Sequence, residues 1–273
     1  MRLHLHLISD STGETLESVA KASVVQFEQV EFIKHYWPMV RSEGHLDRVL
    51  DEIEKRPGLI LFTLVNGAIR ERLETCCAQR QLTAIAVLDP VVMGLSAMLG
   101  QRAANRPGRQ HIMDAAYFAR VDAIAYTLAH DDGQGSEQWE EADIILAGVS
   151  RSSKTPTSIY LSNRGYKVAN VPIVPESPPP PNFYTLQKPL IVGLTTNSER
   201  LIQVRRNRML SMGQAPETAY VDPEQVSAEI AYARRIFADH GWPVIDVSRR
   251  SIEETAAAIL NLMQARQDAE NGK

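Results

Sequence analysis

The chain has little of what would set it apart from an ordinary globular protein, and each shortage excludes something. Cysteine is nearly missing, with two in 273 residues, Cys76 and Cys77. Adjacent cysteines rarely reach disulfide geometry, and two thiolates do not complete a four-ligand zinc site. The pair therefore reads as small buried or half-buried side chains in a reducing compartment. A basic excess is also missing: 29 Lys and Arg stand against 33 Asp and Glu, a net charge of −4, which argues against general nucleic-acid binding. No apolar run approaches the roughly 18 residues of a membrane span. The apolar stretch 3–8 meets Ser9 and Asp10 too soon for a secretory leader. The expectation is a soluble cytoplasmic protein with neither nucleic acid nor membrane among its partners.

What is present is 44% hydrophobic and 23% charged, a composition that excludes disordered and collagen-like chains. At roughly 150 residues per domain the length suits one large domain or two modest ones. No internal repeat occurs, but short apolar runs alternate with amphipathic runs, the pattern of parallel β-α units. Residues 3–8, 31–37, 59–64 and 83–88 read as strands. Leu16, Ala20, Ser23 and Phe27 mark one helix face, with Ser11 and Glu14 fitting a capping box at its start. Leu46, Val49, Leu50 and Ile53 mark a second, and Ile69, Leu73 and Cys76 a third. His4 and His6 share one strand face and read as half-buried residues without chemistry.

Residues 100–108 form a basic loop with Arg102 and Arg106, and Arg109 just beyond. Tyr117, Val121, Ile124 and Leu128 follow as a helix face, and residues 130–136 break the pattern. The boundary drawn from this is 1–135 for an N-terminal α/β domain and 136–273 for a second domain. The fold class expected is α/β: an N-terminal doubly wound parallel sheet plus a C-terminal P-loop kinase-like α/β domain.

The second domain opens with a buried-type strand and then Gly148, Val149, Ser150, Arg151, Ser152, Ser153, Lys154 and Thr155, running through Pro156 into a helix. This matches G-x-x-x-x-G-K-[ST] at every position but one, where Ser153 replaces the second glycine. A loop between strand and helix aims backbone N–H groups at phosphate oxygens, and the helix N-terminus adds positive charge. Lys154 is expected to neutralise phosphate, and the Thr155 hydroxyl to hold Mg²⁺. Arg205 and Arg208, three apart on a later helix, are candidates for gripping a transferring phosphoryl group, with a solvated arginine face as the competing reading. A second anion, or the target hydroxyl, is placed at Asp10, Ser11, Thr12 and Gly13, where a strand end meets a helix start; a plain helix cap is the competing reading. Asp131 and Asp132 are candidate general bases, with His111 and His130 ranked behind them. Asp246 reads as structural.

Several segments resemble the bacterial pyruvate, phosphate dikinase regulatory protein family and its sister group acting on phosphoenolpyruvate synthase. They are Ile8-Ser9-Asp10-Ser11-Thr12-Gly13-Glu14-Thr15, Tyr117-Phe118-Ala119-Arg120-Val121-Asp122-Ala123, His130-Asp131-Asp132-Gly133, residues 148–158, and Asn170-Val171-Pro172. The sister group tends to carry Cys-Gly before the lysine. Ser152-Ser153 here, with Val174-Pro175 and the prolines 178–181, look like the dikinase-directed group. The resemblance implies a bifunctional cytoplasmic enzyme, a serine/threonine protein kinase and phosphorylase. It would use ADP to phosphorylate a threonine beside the catalytic histidine of pyruvate, phosphate dikinase, inactivating it and releasing AMP. It would also remove that phosphate with inorganic phosphate, releasing pyrophosphate. The resemblance makes loop 148–155 the ADP site, all eight positions carrying over. The same chemistry on phosphoenolpyruvate synthase, an ATP-dependent P-loop small-molecule kinase and a non-catalytic nucleotide-sensing module are the alternatives, and a homodimer stays open.

Overall fold

The computed structural model describes residues 1–102, 115–213 and 218–272. Arg106, Arg109 and His111 lie outside the described residues. The chain divides into two compact units, Met1–Ile112 and Met113–Lys273. Each is an α/β unit built on its own four-stranded, all-parallel sheet.

In the first unit the order along the chain is β1 (Arg2–Ser9), α1 (Glu14–Val24), β2 (Glu31–Trp37), α2 (Glu43–Lys55), β3 (Gly58–Thr63), α3 (Gly67–Gln79), β4 (Ala84–Ala86) and α4 (Asp89–Leu99). The sheet order is β2-β1-β3-β4. Alternation along β1 sends Leu5 and Leu7 to one face, where they meet Leu16 and Ala20 of α1. Ile8 points the other way, into a cluster with Leu46, Val49, Leu50 and Ile53 of α2 and Ile69 and Leu73 of α3. Helices on both faces make the sheet doubly wound. Each fully buried Leu or Ile contributes about 1.5–3 kcal/mol, so these stripes hold the unit together.

Two expectations fail at α1. Ser11 does not cap it: the N-cap is Gly13, left-handed at φ 86°, and no side chain caps the helix. The Ser11 N–H turns inward to Ser9 Oγ at 3.1 Å. Phe27 lies beyond the helix end and is 59% exposed, so it takes no part in the packed face. In α3 the buried cysteine is Cys77, and Cys76 is only half-buried.

The second unit runs α5 (Ala115–Ala129), β5 (Ile144–Gly148), α6 (Lys154–Ser162), β6 (Val168–Pro172), β7 (Leu190–Thr195), α7 (Ser198–Ser211), α8 (Pro223–Asp239), β8 (Val244–Asp246) and α9 (Ile252–Asn271). Its sheet order is β6-β5-β7-β8. Ile145, Ala147 and Val149 pack with Leu201, Val226, Ile230 and Phe237 from α7 and α8. Ile144 and Leu146 pack on the opposite face with Leu161 of α6 and Ala256 and Ile259 of α9. Ser251 and Glu254 form the capping box expected at α9.

The division at residues 112 and 113 falls earlier than the boundary drawn at 135. Helix α5 belongs to the second unit because Thr127 Oγ1 accepts the Val168 N–H at 3.1 Å. The His130 carbonyl accepts the Asn170 N–H at 3.1 Å, which ties the end of that segment to β6 as well. Among the described residues no helix is long and apolar enough to cross a membrane.

Candidate active site

The site begins where β5 stops. At Gly148 a Cβ would stand 2.7 Å from the Leu194 carbonyl and 2.8 Å from Ser152 Oγ, so only glycine lets the loop turn against β7. Beyond it, two non-glycine residues hold left-handed backbone, Arg151 at φ 69° and Ser153 at φ 64°. Ser153 occupies the position where the sequence pattern asks for a second glycine. It adopts the conformation that glycine would take freely, at a cost of about 1–2 kcal/mol for an L side chain.

Local bonds keep that loop in shape. Ser152 Oγ donates to the Val149 carbonyl at 2.9 Å. Lys154 is 6% exposed, and its Nζ donates to the carbonyls of Gly148 and Val149, each at 2.9 Å. Two of its three N–H donors are thus committed within the loop. Burial pushes the Lys154 ammonium down to about 8, while the nearby carboxylates of Asp132 and Asp131 pull it back up. Ser153 is the N-cap of α6 without a side-chain cap bond, and the first turn of α6 carries no acidic residue. An anion is the natural complement of such a helix start.

These groups face a cavity of about 530 Å³ lined by Asp131, Asp132, Ser150, Arg151, Ser153, Lys154, Thr155, Pro156 and Val204. Its size falls within the usual range for a small-molecule site. Thr155 Oγ1 donates to Asp131 Oδ1 at 3.0 Å. Asp132 holds φ 52° and, among the described residues, its carboxylate accepts no hydrogen bond and stands on the cavity wall. The structure therefore brings Asp131, Asp132, Lys154 and Thr155 to one place, with Ser150, Arg151 and Ser153 of the loop around them. Gly148, Val149 and Ser152 shape the loop from behind, through the bonds given above.

Other candidates land elsewhere. Arg205 is fully buried, its guanidinium paired with Glu229 of α8 at 2.6 Å. It also donates to the Tyr220 carbonyl at 3.0 Å and to the Ser150 carbonyl at 3.4 Å. The Tyr220 hydroxyl meets Ser150 Oγ at 3.0 Å, so this pair braces the loop from outside the cavity. Arg205 is therefore not a residue that closes over a substrate, while Arg208 is exposed. His130 is buried, stacked on Tyr126 with centroids 3.8 Å apart, and is absent from the cavity lining. Asp246 accepts the Ser248 N–H at 2.8 Å and the Ser248 hydroxyl at 2.5 Å, bonds that hold its carboxyl below the usual range and make it a turn-former.

Asp10, Ser11, Thr12 and Gly13 lie in the first unit, between β1 and α1. Asp10 is buried, and its Oδ2 accepts the Val65 N–H at 2.7 Å. Arg41 Nε donates to the Asp10 carbonyl at 2.7 Å. The loop thus holds a buried carboxylate that ties β1 to the end of β3. His4 and His6 stack with His35 and Trp37.

Sequence reasoning missed two partners of the cradle as site residues. One is Tyr220. The other is Asn170, whose Nδ2 donates to Thr155 Oγ1 at 3.0 Å and to Asp131 Oδ1. A signal for Asn170 was present, because it is a lone amide inside the apolar strand Val168-Ala169-Asn170-Val171. Among the described residues no group of three or more His, Cys, Asp or Glu could hold a metal ion. Any cation at the cavity would rely on the Thr155 hydroxyl and the carboxylates of Asp131 and Asp132.

Comparison with known proteins finds relatives over nearly the whole chain. The family model described as kinase/pyrophosphorylase matches residues 5–260. A protein of Rhizorhabdus wittichii, provisionally named pyruvate, phosphate dikinase regulatory protein, is 70% identical over 273 residues, covering 100% of both chains. One of Novosphingobium aromaticivorans with the same provisional name is 68% identical over 265 residues, 97% of this chain and 95% of that one. A third, from Maricaulis maris, is 52% identical over 265 residues with the same coverage.

Proposed function

Because the chain belongs to the kinase/pyrophosphorylase family, we propose that it phosphorylates and dephosphorylates a threonine of pyruvate, phosphate dikinase, using ADP in one direction and inorganic phosphate in the other. The observation that carries this reading is the buried Lys154 at the floor of the 530 Å³ cavity, flanked by a free carboxylate and an uncapped helix start. The names of the relatives support the choice of target, and Ser152-Ser153 before Lys154 supports the dikinase over the synthase.

In the forward direction the target hydroxyl attacks the β-phosphorus of ADP. The bond from that phosphorus to the bridging oxygen breaks, AMP leaves with the electron pair, and the hydroxyl proton passes to a base. Asp132 takes that proton, since its carboxylate is free while Asp131 is engaged by Thr155 and Asn170. Lys154 and the first N–H groups of α6 stabilise the charge spread over the transferring phosphoryl oxygens. In the reverse direction an oxygen of inorganic phosphate attacks the phosphothreonine. The bond to the threonine oxygen breaks, pyrophosphate forms, and Asp132 returns the proton. Both directions are assigned to this one cradle, because Lys154 faces a cavity there, whereas the Asp10 carboxylate of loop 10–13 is buried and bonded to the Val65 N–H. Mg²⁺, when bound, supplies further charge neutralisation at the phosphates, with the Thr155 hydroxyl and Asp131 carboxylate as the oxygens that would hold it.

Mass spectrometry of the dikinase after incubation with ADP, ATP or neither tests the reading. A single phosphothreonine formed with ADP, and erased by phosphate with release of pyrophosphate, is expected. Phosphorylation only with ATP, or of a metabolite without the dikinase, would contradict it. Asp132→Asn is expected to lower the transfer rate by about 10²–10⁴-fold with ADP affinity kept, as for loss of a general base.

A further inference from the structure

Asn170 is 1% exposed in the middle of β6. Its backbone is already used, the N–H donating to the His130 carbonyl, so the amide side chain is not needed for the sheet. Instead the Nδ2 end bonds both Thr155 Oγ1, at 3.0 Å, and Asp131 Oδ1. Thr155 Oγ1 and Asp131 Oδ1 are themselves 3.0 Å apart, so three side chains close a triangle at the cavity. The other end of the amide, Oδ1, is buried without any partner. A leucine or valine would fill such a strand position without stranding a polar atom, so the amide has a reason outside packing.

That reason lies in where the triangle's corners come from. Asp131 sits on the turn after α5, Thr155 in the first turn of α6, and Asn170 on β6. The Asn170 amide adds a third anchor, from β6, to the direct bond between the acidic turn and the hydroxyl of α6. A hydroxyl and a single carboxylate are hard oxygen donors, the set that Mg²⁺ takes together with substrate phosphates. The Thr155 hydroxyl already donates to Asp131, and the amide NH₂ adds a donor to each of the two oxygens, which fixes their direction.

We infer that Asn170 is a positioning residue that pre-forms a divalent-cation site from the Thr155 hydroxyl and the Asp131 carboxylate. The inference rests on reading the neighbouring loop as a phosphate cradle. Residues that orient metal ligands typically change metal affinity by about 10–100-fold when removed.

The test is Mn²⁺ binding to the full-length protein, followed by electron paramagnetic resonance without target protein and without turnover, with circular dichroism to confirm folding. Asn170→Leu, which keeps the volume, is expected to weaken Mn²⁺ binding by about 10–100-fold. Asn170→Asp, which returns an oxygen-rich side chain, is expected to bind Mn²⁺ at least as tightly as the natural protein. Wild-type affinity in Asn170→Leu would overturn the proposal, as would equal loss in both variants. If Asn170→Leu fails to fold, Thr155→Ser and Thr155→Val replace it. Loss of Mn²⁺ in the valine variant alone supports the site, and equal binding by the two overturns it. Intact Mn²⁺ binding with no phosphothreonine on the dikinase would sink the proposed function and leave this site standing.

Discussion

The two units share one sheet order and carry opposite charges at one loop. Sheet order is β2-β1-β3-β4 in the first and β6-β5-β7-β8 in the second, so each places its first strand between its second and third. In each, the loop after that first strand enters a helix through a left-handed N-cap with no side-chain cap, Gly13 in one and Ser153 in the other. Beyond this the loops part. The first carries the buried carboxylate of Asp10, consumed by the Val65 N–H, and the second carries the buried ammonium of Lys154 facing a cavity. The same backbone device therefore carries a buried carboxylate in one unit and a buried ammonium beside a cavity in the other. Fold alone does not decide chemistry; the charge placed on the loop does.

Exchanging the charges' roles should break this comparison most visibly. Lys154→Ala is expected to lower phosphoryl transfer by about 10²–10³-fold, the loss usual for one preorganised charge donor. Asp10→Asn should leave ADP affinity within about twofold, as for a site that shares no partners with the Lys154 loop. Isothermal titration with ADP and the transfer assay read both. Equal loss in the two variants would mean that the first loop also serves the nucleotide.

A somewhat smaller effect separates the arginines of α7. Arg205→Met strands Glu229 and releases the Ser150 carbonyl, and should cost about 3 kcal/mol in urea denaturation, as expected for breaking a buried ion pair. Arg208→Met should stay within about 0.5 kcal/mol, like other exposed substitutions. If Arg208→Met instead destabilises the protein, the assignment of depth along α7 is wrong.

The pH response sharpens the contrast between units. Lys154 is depressed to about 8, so above that pH ADP must draw in a proton to meet a charged ammonium. ADP binding should be about tenfold weaker at pH 9 than at pH 7, by linkage to a single proton. In the first unit, His6 lies below its ordinary value, chiefly through burial, with His35, His4 and Arg56 adding positive neighbours. Its Nδ1 accepts the Trp37 indole N–H at 3.2 Å, leaving Nε2 to donate to the Arg56 carbonyl at 2.9 Å. A proton added at Nδ1 destroys the Trp37 bond. Since the unfolded chain binds that proton more readily, stability is intact above about pH 6.5 and falls as the pH drops below it. Denaturation midpoints at pH 7.5 and 5 should show the fall, and His6→Asn should flatten it. The smallest effect is at the shared N-cap: Ser153→Gly should raise stability by about 0.5–1 kcal/mol in thermal melts by removing left-handed strain.

Much of this was legible in the chain itself. The strand–loop–helix around Lys154 could be read from the residue spacing of the loop, and the helix stripes because burial follows the 3.6-residue period. What escaped depended on tertiary choices. Ser11 had the residue type of a cap, yet the left-handed Gly13 took the position and turned Ser11 inward. Arg205 and Arg208 share a helix side at three-residue spacing, but periodicity does not tell depth, and Glu229 on α8 decides it. Helix α5 could not be assigned to a sheet from its own pattern, because its anchors, Thr127 to Val168 and His130 to Asn170, are cross-chain bonds. Asn170 meets Asp131 and Thr155 only after three elements have assembled.

The most direct measurement uses ADP carrying ³²P in its β position, pyruvate, phosphate dikinase as acceptor, and the natural protein beside Lys154→Ala. The account predicts label on a dikinase threonine and unlabelled AMP with the natural protein, and about 10²–10³-fold slower formation of both with Lys154→Ala. Label remaining in the nucleotide pool, or transfer undiminished in Lys154→Ala, would contradict it.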